Sequence, residues 1–166
     1  HAGNYRFRLE ENEVRIGVLD FGCVKPLKGQ MVDALGSWIR DAISGAISGG
    51  SAWDHHVRLG YEPKTLEALR PKLAAVSRIL FEPFSAGVYH VRDWRLAERL
   101  AEKLGEYRLN YRIAAPPEMI YLVRAFQGLQ ACLQMLDVPM DWRGQLPPLE
   151  FGRGETPPNL HCPVGT

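Results

Sequence analysis

Cysteine is scarce in this chain and odd in number: Cys23, Cys132 and Cys162 stand far apart among 166 residues. That spacing builds neither a disulfide framework nor a zinc finger. No apolar run approaches the roughly 20 residues that cross a bilayer. Charge of one sign is missing too, since 20 Lys and Arg against 19 Asp and Glu leave +1 with no block of like charge. A mainly electrostatic grip on nucleic acid or anionic lipid is thereby excluded as the obvious function, and no nucleic-acid partner is expected. There is no internal repeat and no low-complexity tract. What is present is ordinary for a globular chain: 46% hydrophobic and 23% charged residues, too apolar for disorder. The length gives room for one domain with a tail. The chain opens on His1 rather than Met and carries no signal-peptide pattern. The expectation is a piece of a longer protein, in a reducing, cytoplasmic compartment.

The patterning divides the chain unequally. Over 1–27, Tyr5, Phe7 and Leu9 alternate with Arg6 and Arg8, and Val14, Ile16 and Val18 alternate again beyond Glu10-Glu11-Asn12-Glu13. Period two predicts two half-buried strands joined as a hairpin, which needs something to pack on. Residues 28–146 read as helical. Met31, Leu35, Trp38, Ile39 and Ile43 share a face, and the Gly/Ser cluster 44–51 ends that helix. A second stretch is expected to start at Thr65 as N-cap and to restart at Pro71, carrying Leu73, Val76, Ile79 and Leu80. Asp93 is expected to cap a third helix, with Leu96, Leu100 and Leu104 inward and Glu98 and Glu102 outward. Pro116-Pro117-Glu118 starts a fourth, whose body 119–136 is the most apolar and is expected to be the central core helix. Six of the twelve Pro lie at or after position 139, so 147–166 reads as a Pro/Gly-rich tail.

Chemistry concentrates at the hairpin ends. Asn4 precedes the first strand and Asp20 follows the second, so pairing the strands brings the two side chains together. A carboxylate and an amide oxygen are the hard ligands that a magnesium ion holding nucleotide phosphates takes. Gly22 would let the chain turn sharply after Asp20. Asp-x-Gly is also a common turn that holds no ligand, and on pattern alone that reading outweighs the other.

A longer match bears on the choice. His1-Ala2-Gly3-Asn4-Tyr5 followed by Gly17-Val18-Leu19-Asp20-Phe21-Gly22-Cys23-Val24-Lys25 resembles the catalytic-to-magnesium segment of the AarF/UbiB (ADCK-like) atypical kinases. Downstream, Pro116-Pro117-Glu118, Arg124, Phe126-Gln127-Gly128-Leu129 and Asp141-Trp142-Arg143 resemble that family's C-terminal helical signature. The resemblance implies a mainly α (α+β) fold, a protein-kinase-like C-lobe with an N-terminal β-hairpin and a helical bundle over 1–146. It implies Asn4 and Asp20 as ligands of Mg2+ with ATP, Phe21 and Gly22 as the segment behind the metal, and His1 as the catalytic-loop His. It also implies a link to quinone biosynthesis or lipid homeostasis, association with membranes or lipid, and an N-terminal small lobe as partner. The departures are Ala2 in place of the usual Pro and a longer hairpin through Glu10–Glu13. The family's catalytic Asp would fall two residues before His1. A chain with two metal ligands and neither base nor phosphate-binding Lys is expected to be inactive alone.

Two other readings stay open: a small-molecule phosphotransferase of the aminoglycoside or choline kinase type, and a non-catalytic helical interaction module or pseudokinase remnant. His55-His56 beside Asp54 reads as packing or surface His, because adjacent residues point apart and no second ligand cluster follows. His161-Cys162 has no partner motif, and Cys23 reads as a small buried residue. Trp38, Trp53, Trp94 and Trp142 read as core or rim aromatics. Arg124 is either a buried, paired Arg or the edge of a polar face; the resemblance implies the buried role. Its offset of six from Glu118 places the two about 240° apart, so they are not expected to pair.

Overall fold

The computed structural model describes residues 2–11, 13–20 and 25–146. His1, Asn12, Phe21, Gly22, Cys23, Val24 and the tail 147–166, with His161 and Cys162, lie outside the described residues, and with them the roles expected there.

A short 3-10 turn, Ala2–Asn4, leads into β1 (Tyr5–Glu10), which pairs antiparallel with β2 (Glu13–Val18). The hairpin forms where the alternation predicts it. Its burial does not follow the prediction: every residue from Tyr5 to Leu9 and from Glu13 to Val18 is exposed, on both faces. Alternation reports that one face is apolar and says nothing of whether another layer covers it.

The chain then becomes mainly helical. Helix α1 (Gly29–Ile43) buries Met31, Ala34 and Trp38 and keeps Asp33 outside. Helix α2 (Gly49–Leu59) was not foreseen, because Gly49 and Gly50 open it. Ser48 rescues the start by accepting from the Ser51 amide while the Ser51 hydroxyl accepts from the Ser48 amide. Gly60 ends α2 in a left-handed conformation (φ +96°) that a side chain would strain.

The next short helix, α3 (Pro63–Leu66), corrects the Thr65 expectation. The cap is Glu62, whose carboxylate accepts from the amides of Lys64 and Thr65 at 3.0 and 2.5 Å, with Pro63 at the first helical position. A 3-10 segment, Glu67–Lys72, carries the chain past Pro71, and α4 (Leu73–Ser85) begins directly after it. Helix α5 (Leu96–Leu104) corrects a second expectation. Its N-cap is Arg95 in a left-handed conformation (φ 43°), while Asp93 lies in the preceding turn, its amide bonded to the His90 carbonyl. Burial of Trp94 fixes the chain there and moves the helix start two residues on.

A 3-10 turn, Gly105–Tyr107, joins α5 to α6 (Arg108–Ala114), and α7 (Glu118–Leu136) starts at Pro117 as expected. Strands β3 (Val88–Tyr89) and β4 (Met140–Asp141) form a small second sheet.

The main core lies among α1, α2, α4 and the α3 region. Leu66, Leu69, Leu73 and Val76 are fully buried against Trp38, Ala52 and Leu59. Each such side chain contributes roughly 1.5–3 kcal/mol by leaving water. A second cluster joins Val91, Trp94, Leu96 and Trp142, with Phe84, Phe126 and Met140 packed on it. Helix α7 is not the central core helix. Only Met119 is buried along it, while Ile120, Tyr121, Leu129, Met135 and Leu136 are exposed. Its apolar residues occur all round the helix, so the stripe of Met119, Leu122, Phe126 and Leu133 meets the two clusters while the others face outward.

Candidate functional site

The antiparallel ladder places Tyr5 opposite Val18, and one further backbone bond, from the Leu19 amide to the Asn4 carbonyl at 2.9 Å, extends it past the last pair. Asn4 and Asp20 therefore leave the hairpin side by side. The Asn4 amide nitrogen donates to an Asp20 carboxylate oxygen at 3.5 Å, the long limit of such a bond. Asp20 is exposed and Asn4 half-buried, so the pair sits at an accessible edge.

Two oxygens bound to one magnesium at about 2.0–2.1 Å cannot be much more than roughly 4 Å apart, whereas the 3.5 Å approach here is that of the Asn4 amide nitrogen, not its oxygen, to Asp20. Turning the Asn4 amide about its last bond would present its carbonyl oxygen beside the carboxylate in place of the nitrogen. A carboxylate with one amide oxygen is a partial shell, of the kind magnesium completes with water and phosphate. No group of three or more His, Cys, Asp or Glu that could hold a metal occurs among the described residues.

From Lys25 onward, two lysines meet the helical body. Lys25 lies over the Tyr121 ring, 5.9 Å from its centroid, and Lys28 approaches Glu118 at 3.8 Å. Both partners belong to the start of α7, and the Lys25–Tyr121 contact brings the end of the first resembling stretch against the second. Glu118 pairs with Lys28 rather than with Arg124, as the helical offset requires. Arg124 is exposed, which corrects the buried role implied for it.

Other polar clusters serve the fold. His55 and His56 are both buried and do point apart. The His55 Nε2 meets Asp41 of α1 at 2.7 Å, while its buried Nδ1 has no partner among the described residues. The His56 Nδ1 donates to the Ala52 carbonyl at 2.7 Å, so Nε2 is the acceptor for the Tyr111 hydroxyl at 3.1 Å. Desolvation by burial drives the His56 pKa down to about 4; the Ala52 bond opposes this and neighbouring His55 adds to it. Burial likewise raises Tyr61 and Tyr111. Between α4 and α5, Glu82 accepts from Tyr89 at 2.8 Å and Arg99 at 2.5 Å, and burial with the Glu82 bond pushes Tyr89 up to about 12. Trp38, Trp94 and Trp142 are buried, and Trp53 is half-buried beneath Arg70.

No family model, curated protein or solved structure matches this chain.

Proposed function

We propose that the chain forms the C-lobe part of an AarF/UbiB-like atypical kinase or ATPase, with Asn4 and Asp20 as its two protein ligands for magnesium bound with ATP. The observation that carries this reading is the 3.5 Å approach of two side chains sixteen residues apart, at the positions the family motif assigns to the metal. The Lys25–Tyr121 contact adds support, since it joins the two resembling stretches. Bound there, magnesium supplies charge neutralisation on the nucleotide phosphates. Asp20 contributes the formal negative charge, and Asn4 supplies a neutral oxygen whose strand-end position is fixed by the backbone ladder. The family's small lobe, its quinone- or lipid-linked role and its membrane association belong to the same proposal.

Manganese provides the test, as a paramagnetic stand-in for magnesium read by amide NMR. Selective broadening at Asn4 and Asp20 that magnesium reverses, and that Asp20→Ala abolishes, is the expected result. Broadening spread over surface carboxylates and unchanged in Asp20→Ala would overturn it.

A second reading, a non-catalytic interaction module, is favoured by one specific observation: the apolar face of the hairpin is exposed. Unaltered partner binding in Asp20→Ala, with no metal effect, would support it over the first.

A further inference from the structure

Among the described residues, strands β1 and β2 pair only with each other. Their register sets Tyr5 across from Val18, Phe7 across from Ile16 and Leu9 across from Val14, so six apolar side chains share one face. All six are exposed, with Phe7 at 66%, Leu9 at 73% and Ile16 at 59%. The opposite face carries the charge: Arg6, Arg8, Arg15, Glu10 and Glu13, with Glu10 bound to both Arg8 and Arg15. Among the described residues, none of the hairpin belongs to either core cluster. A lone two-stranded hairpin is at best marginal in water, so this one needs a cover.

The size and chemistry of the face narrow the choice of cover. Together the six side chains expose on the order of 600 Å² of mostly apolar surface, at the upper end of what a monomer leaves open. A standard protein interface takes about 800 Å² from each partner, so this face supplies most of one half. It holds no charge, so two identical copies can meet without bringing like charges together. Its rows also differ: β1 contributes the bulkier Tyr5, Phe7 and Leu9, and β2 the β-branched Val14, Ile16 and Val18. A two-fold stacking can lay the bulky row of one copy over the β-branched row of the other, filling the space between two sheets about 10 Å apart. The exposed apolar residues of α7 offer no comparable surface, because they are spread around the helix.

We propose that the apolar face of the β1–β2 hairpin is a homodimer interface, in which a second copy of this chain covers Phe7, Leu9, Val14 and Ile16. The proposal does not rest on the metal site.

Sedimentation velocity of the 166-residue chain between about 1 and 100 µM tests it. The expected result is a monomer–dimer equilibrium whose dissociation constant rises at least about tenfold in Phe7→Glu and in Ile16→Glu and is unchanged by Met135→Glu on α7. Circular dichroism should keep its helical signal in all three, since none touches the core. Isotope-filtered NOEs from the Phe7 ring to hairpin methyls of an unlabelled copy give a second, mutation-free readout. A chain that stays monomeric throughout overturns the proposal and leaves the face to a small lobe. A dimer that survives both hairpin variants, or is lost in Met135→Glu, also overturns it. So does a monomer that floats with phosphatidylcholine vesicles and loses that in Phe7→Glu, which would make lipid the occupant.

Discussion

The indole of Trp94 donates at 2.6 Å to the Ile79 carbonyl, the acceptor that Pro83, having no amide hydrogen, leaves unclaimed inside α4. Each residue answers the other's problem. A proline in a helix orphans the carbonyl four residues back, and a buried tryptophan needs an acceptor for its N–H. This bond fastens the loop before α5 to α4 and sets the position of the second cluster, in which the Trp142 Nε1 likewise reaches the Tyr89 carbonyl at 3.3 Å.

Trp94→Phe should therefore destabilise the chain by more than lost packing, because the Ile79 carbonyl is left unpaired. The expected loss from that group alone is about 1–3 kcal/mol in urea unfolding. Pro83→Ala restores an amide that can take the same carbonyl. The double variant should consequently recover part of the loss, and a strictly additive cycle would show that the two are not coupled.

Acid should destabilise the fold through His56. Its folded pKa is about 4 against 6.5 for a free His, so between those values the unfolded chain holds a proton that the folded chain does not. Stability from this group is fully present above about pH 6.5 and is lost as pH falls toward 4, reaching roughly 2 kcal/mol of loss at pH 5. Urea midpoints at pH 7 and pH 5 measure it. His56→Phe should flatten that dependence even if it lowers stability at both values.

What the sequence made legible follows from what pattern encodes. The hairpin's two alternating strands, the start of α7 after Pro117 and the inward faces of α1 and α4 are local properties, set by residue period and by proline. Asn4 and Asp20 came together for the same reason, since a ladder fixes its own ends. Burial is a property of neighbours. The hairpin face and α7 have the composition of covered elements, yet among the described residues no layer lies over Phe7 or Leu136. Helix α2 was hidden because its cap is a Ser48–Ser51 pair ahead of two glycines rather than Ser with Glu. Glu62 and Arg95 replace the expected Thr65 and Asp93 as caps because the turns before α3 and α5 are set by tertiary contacts: the Glu62 amide bonds the Ala114 carbonyl, and Trp94 is buried.

The division between core and α7 has a direct mutational consequence. Leu69→Ala and Leu73→Ala remove fully buried side chains and should cost about 2–5 kcal/mol each. Met135→Glu, at a side chain 76% exposed, should stay within about 0.5 kcal/mol of wild type. A Met135→Glu loss as large as that of Leu69→Ala would mean that α7 is covered in solution.

Metal removal should leave the fold intact. The Asn4–Asp20 pair lies at the hairpin ends, outside both core clusters, and supplies only two protein donors. Structural metals are different, because their binding energy is folding energy and chelators denature such domains. A weak site adds stability only by mass action: at a magnesium concentration equal to its dissociation constant, the gain is about 0.4 kcal/mol. Thermal unfolding with excess EDTA and with magnesium should therefore differ by no more than a small shift, and Asp20→Ala should remove even that. The helical signal near 222 nm is the right observable, since it reports the α1–α2–α4 core and not the hairpin. A collapse of that signal on chelation would place a metal within the helical body and remove the hairpin ends from consideration as the site.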